Sequence, residues 1–123
     1  MQDQPSAATV LDQVIAHLRD SVLPGLDARG KFELRVAISA LGMVRRTLEL
    51  EPRANAAELA RLGALLGEAG DLETLNRRLC EQLRDGAIGA DTPGLLQHLQ
   101  ATALEKLAID QPNYAAYQRA IKD

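Results

Sequence analysis

A chain of 123 residues is long enough for one sizeable core and too short for two. Its net charge of −3, with Lys and Arg scattered along the chain, excludes a nucleic-acid binder, because phosphate neutralisation needs a concentrated basic face. The single cysteine, Cys80, excludes an internal disulfide, and no run approaches the ~18 apolar residues of a membrane-spanning helix. The N-terminal MQDQPSAAT carries no basic stretch followed by an apolar run, so a soluble cytoplasmic protein without membrane or nucleic-acid partners is expected.

Leu and Ala dominate the apolar residues and are strong helix formers, while Phe32, Tyr114 and Tyr117 are the only aromatics. Met1 to Pro5 read as a loose lead-in, and Ser6 as the cap of a first helix. Leu11, Val14, Ile15, Leu18 and Val22 form its apolar stripe, and Pro24 and Gly25 end it. The stretch Lys31 to Leu50 is apolar on two faces. One stripe is Leu34, Ile38, Leu41, Val44 and Leu48; the other is Phe32, Val36, Ala40, Met43 and Leu50. Two stripes predict a central helix packed from both sides and stopped at Pro52, with Leu41 and Val44 fully buried.

Asn55 and Glu58 have capping-box spacing and predict a third helix with Leu59, Leu62 and Leu66 inward, closed by Gly67 and Gly70. Asp71 caps a fourth, with Leu72, Leu75, Leu79 and Leu83 inward and Gly86 at its end. On its outer face Glu73–Arg77 and Arg77–Glu81 are ordinary surface pairs. Thr92 followed by Pro93 predicts the start of a fifth, with Leu96, Leu99, Ala103 and Leu107 inward and a stop before Pro112. Residues 113–123 read as a weak helix or a loose end. The expectation is an all-α fold, a compact single-domain bundle of about five helices over 1–123 with a central two-faced helix.

Chemistry is sparse. Gly25 to Phe32, GLDARGKF, has the spacing of a phosphate-binding loop up to its lysine, but Phe32 replaces the hydroxyl residue and no strand precedes it. A helix–helix turn is the better reading. His17 and His98 lie beside apolar stripes on different helices without further ligands nearby, so they read as surface-flank histidines whose loss should be nearly silent. Cys80 reads as a small buried hydrophobe. No catalytic constellation, cofactor site or metal site is expected.

Two features point to a partner. Arg35, Ser39, Gly42 and Arg46 fall in one line on the central helix, with Arg45 beside them. Glycine inside a helix costs about 1 kcal/mol relative to alanine, which close approach of another backbone would explain. The other reading is a solvated edge. Tyr114 and Tyr117, beyond the last firm helix, either lock the tail onto the bundle or anchor a partner.

The blocks RVAISALGMVRRTLEL, NRRLCEQLRDG and LAIDQPNYAAY, in this order and spacing, resemble a family of small bacterial helical proteins labelled as a domain of unknown function. The likeness runs from the first helix to Tyr114. Thr47 stands where the family pattern has an acidic residue, and Gln111 to Asn113 replace an Asn-Pro-Arg-like turn. Members accompany an aminoglycoside-phosphotransferase-like kinase and an acyl-CoA dehydrogenase-like protein, and include LvaB-type subunits of 4-hydroxyacyl-CoA kinases. The resemblance therefore implies a non-catalytic accessory subunit of a kinase, with acyl-CoA substrate held by the complex. A stand-alone acyl-CoA or small-molecule binder and a homodimeric scaffold are the alternatives.

Overall fold

The protein is described from a computed structural model that covers residues 4–123, so residues 1–3 of the expected lead-in lie outside the described residues. Among the described residues there are five α-helices and no strand: α1 Ala7–His17, α2 Ala28–Leu66, α3 Leu72–Arg84, α4 Leu95–Asp110 and α5 Ala115–Ala120. The chain divides into two compact units at Glu51 and Pro52.

In the N-terminal unit, Ser6 caps α1 as its position predicts, its side chain accepting from the Thr9 amide at 3.2 Å. The helix then loosens into a π-helical turn, Leu18–Val22, and a 3₁₀ turn, Leu23–Gly25. Asp27 opens α2, its carboxylate accepting from the Gly30 amide at 2.7 Å. The GLDARGKF stretch is thus a turn between helices followed by the first turn of α2. Of the two stripes on α2, the positions Leu34, Ile38 and Leu41 are half-buried, on the face from which Arg45 reaches α1 through Asp12 at 3.1 Å. The other stripe is not covered. Phe32 is 67% exposed and Val36 56%, and no described side chain of this unit is buried. Leu41 is half-buried and Val44 exposed, so neither is the fully buried residue that the pattern predicted.

Pro52 does not stop α2, and Asn55 does not cap a new helix; the helix runs on to Leu66 with Pro52 inside it. An internal proline removes one backbone hydrogen bond, at about 3 kcal/mol, but ANAAELARLGALL beyond it is rich in strong helix formers. Gly67, at φ 67°, provides the left-handed exit.

The C-terminal unit holds the core. Leu62 of α2, Leu75 and Leu79 of α3, Ile88 of the following loop and Leu95 of α4 form one buried cluster, with Leu65, Leu66 and Leu72 packed against it. Asp71 caps α3, accepting from the Thr74 amide at 2.8 Å, and these hydrogen bonds hold its carboxyl below the usual range. Leu59 and Leu83, expected inward, are exposed at the ends of their stripes. The start of the next helix differs from expectation. Thr92 does not cap it; its hydroxyl accepts from the Gly89 amide at 2.9 Å within the loop, and the cap is Gly94 at φ 89°. The inward side of α4 also differs from expectation: Leu95 and His98 are buried, whereas Leu96 and Leu99 are exposed. The tail is ordered as α5, and the Gln118 side-chain amide donates to the Pro112 carbonyl.

Candidate partner-binding surface and a polar cleft

At 100° per residue, Phe32, Val36, Met43 and Leu50 fall within about 40° of arc on α2, nearly opposite the half-buried face. Val44 and Leu48, also exposed, lie toward the half-buried side of the helix rather than on this stripe. In α1, Val10 and Val14 are also exposed. Phe32, Val36, Met43 and Leu50 thus make one exposed apolar stripe in a unit whose described residues include no buried side chain.

The line Arg35, Ser39, Gly42 and Arg46 borders one edge of the apolar stripe. Arg35 and Ser39 are exposed, Gly42 and Arg46 half-buried. No backbone approaches Gly42: a Cβ there would meet the end of the Arg46 side chain at 3.2 Å and nothing else within 4 Å. Arg45, expected to belong with the strip, faces the other way, paired with Asp12 and with Glu49 one turn along. In the C-terminal unit, Tyr114 is exposed at the start of α5 and Tyr117 is half-buried. Cys80 is exposed rather than buried, because α3 turns Leu75 and Leu79 inward and leaves the next position outside.

The C-terminal unit contains a polar cluster that periodicity did not reveal. Arg61 of α2 holds Glu105 of α4 bidentately, at 2.9 and 2.7 Å, and reaches Thr102 at 3.4 Å. The Arg61 and Glu105 side chains are 26% and 27% exposed, and the hydrogen bonds that Arg61 donates to Glu105 raise its pKa. Asn76 donates to Glu58 at 2.9 Å and to the Leu72 carbonyl at 3.1 Å. His98, expected on the surface, is only 3% exposed. Burial first, and then the Arg61 charge, push its pKa below 6.5, so the imidazole is neutral at neutral pH. Its Nδ1 has no hydrogen-bond partner, nor has Arg61 Nε. Beside them opens a cleft of about 300 Å³, walled by Ala64, Leu65 and Pro93, with Gly94, Gln97, His98 and Arg61 as its polar side. One sequence sign could have found this cluster: Arg61 lies one residue before the deepest core leucine, where a cation needs a partner.

No described helix is long and apolar enough to cross a membrane. The chain belongs to the family described as Domain of unknown function (DUF6285), whose model matches residues 24–114. No curated protein and no solved structure matches the chain.

Proposed function

We propose that this member of the DUF6285 family is a non-catalytic accessory subunit that docks through its N-terminal unit onto an aminoglycoside-phosphotransferase-like kinase acting on hydroxyacyl-CoA or a related small molecule. The observation that carries the docking role is the bare apolar face of α2, with Phe32, Val36 and Met43 exposed in a unit whose described residues include no buried side chain. Water-exposed aliphatic surface of this extent gains free energy, at about 25 cal/mol per Å², when something covers it. The kinase as the occupant, and its acyl-CoA substrate, rest on the resemblance of the three sequence blocks. In such an assembly the kinase would supply the nucleotide site, metal ligands and base. The Arg35 and Arg46 edge suits an interface rim, since guanidinium groups bind carboxylates and backbone carbonyls through several donors.

The test is co-purification with an aminoglycoside-phosphotransferase-like kinase of the kind the resemblance implies. Wild-type protein should co-elute with the kinase, and Phe32→Glu or Val36→Asp should abolish this while circular dichroism stays helical. Gly42→Leu has room to fold and should also block assembly if the partner crosses the strip. A wild-type chain that elutes apart from the kinase overturns the reading. A chain that does so as a dimer assigns the face to a second copy.

A further inference from the structure

The start of α4 is arranged for an anion, and among the described residues no side chain supplies one. Its cap, Gly94, brings no side-chain hydrogen bond. The Leu95 amide donates to the Thr92 carbonyl at 3.2 Å and the His98 amide to the Gly94 carbonyl at 3.0 Å. Among the described residues the Leu96 and Gln97 amides in between have no acceptor. Free amides at the positive end of a helix of 16 residues are an anion-binding arrangement. By itself that is common. The second observation is independent: His98, 3% exposed and lining the same cleft, keeps an Nδ1 without a partner. Leaving a buried polar group unsatisfied costs about 1–3 kcal/mol, which a ligand able to hydrogen-bond there would recover.

The rest of the cleft narrows the chemistry. Ala64, Leu65 and Pro93 make one wall apolar, and about 300 Å³ is the lower end of small-molecule sites. Arg61 adds a positive charge, but its two Nη groups are occupied by Glu105. Glu105 and Glu58 both bear on His98 with negative charge, which opposes a doubly charged ligand. We propose that this cleft binds a small organic monocarboxylate, its carboxylate at the start of α4 between Gln97 and His98, its carbon chain along Ala64, Leu65 and Pro93. The site lies in the C-terminal unit and does not depend on the docking role, so either reading can fail alone.

The experiment is an NMR titration of the full chain with acetate, butyrate and hexanoate, with inorganic phosphate and sodium chloride as comparison anions. Saturable shifts should centre on the Gln97 and His98 amides, and the His98 imidazole pKa should rise as the anion binds. Each added methylene should tighten binding about two- to fourfold through the apolar wall. His98→Ala should lose the saturable response. Where that variant fails to fold, Gln97→Glu decides. A carboxylate at this position of the first helical turn favours the helix and fills the anion's place, so binding should weaken at least tenfold with no loss of thermal stability. Shifts that chloride reproduces, or a response unchanged in Gln97→Glu, would overturn the site. Phosphate binding tighter than butyrate would overturn the ligand class.

Discussion

The two units are made of the same material and end in different states. Both are Leu/Ala-rich helices with good periodicity and capped starts, Ser6 in one and Asp71 in the other. Yet residues 52–123 bury Leu62, Leu75, Leu79, Ile88 and Leu95, while the described residues of the N-terminal unit bury none. The difference is the number of elements that can converge. Leu62 lies in a cluster fed by α2, α3, α4 and the Ile88 loop, so every side of it is occupied. In the N-terminal unit α2 meets α1 through one face, and its other face is exposed among the described residues. Amphipathicity makes a helix worth burying; only a third element makes burial complete.

The largest test of this contrast is truncation on each side. Leu62→Ala and Leu75→Ala, at 0% and 1% exposure, should each cost about 3–5 kcal/mol in urea unfolding. Leu41→Ala, half-buried, should cost about 1 kcal/mol, and Val44→Ala less, because both side chains keep more of their surface in water in the folded chain than the core leucines do. Hydrogen exchange sharpens the same point. Amides of α3 and of residues 95–110 should exchange only through global unfolding, and those of α1 through local opening. Equal costs for Leu41→Ala and Leu75→Ala would break the comparison.

Next in size is the polar cluster. Glu105→Ala leaves the Arg61 guanidinium part-buried without its bidentate partner and should cost about 1–3 kcal/mol. His98 adds a pH dependence. Its folded pKa lies below the ordinary 6.5, so the unfolded chain takes up the proton first. Stability is therefore full above about pH 6.5, declines as pH falls from there toward the depressed folded value, and declines no further through this group below it. His98→Gln should flatten that slope in thermal unfolding between pH 7 and 5. A slope unchanged by the substitution would assign it to other groups.

Local signals in the sequence were reliable where one side chain decides the outcome. Ser6 and Asp71 cap their helices, and Gly67 and Gly86 take the positive φ their positions called for. What failed were inferences from a local breaker to a long-range result. Pro52 was given the strength to end a helix, but the residues after it favour helix enough to carry α2 onward. Thr92 and Pro93 form a turn, and the start of α4 moved to Gly94 and Leu95. The inward side of α4 is Leu95 and His98 rather than Leu96 and Leu99, a choice made by its packing against Leu62, Leu75 and Leu79. The exposed stripe of α2 was legible as apolar but not as bare, since periodicity reports a face and never its neighbour. The Arg35–Gly42–Arg46 line follows from spacing alone, and the same spacing puts Arg45 on the face of Leu34 and Ile38; its partner Asp12, 33 residues away, was not legible.

The smallest effect expected is at that pair, and it bears on how the N-terminal unit holds together. Arg45 reaches Asp12 across the two helices at 3.1 Å, with their side chains 32% and 50% exposed, and also bonds Glu49 on its own helix. Exposed pairs of this kind contribute about 0.2–1 kcal/mol, because water screens them and ordering two long side chains opposes them. Asp12→Asn should therefore lower stability by less than 1 kcal/mol in low salt and by still less at high salt. A double-mutant cycle with Arg45→Met isolates the coupling from the loss of the arginine stem, which also packs. A coupling as large as the cost of Leu75→Ala would mean that charge fixes α1 to α2 and that the unit is secure without apolar burial. A small coupling leaves Leu34, Ile38 and Leu41, all half-buried, as the main internal hold on the hairpin. In that case covering Phe32, Val36 and Met43 should raise the unfolding temperature of this unit more than any substitution at the ion pair lowers it.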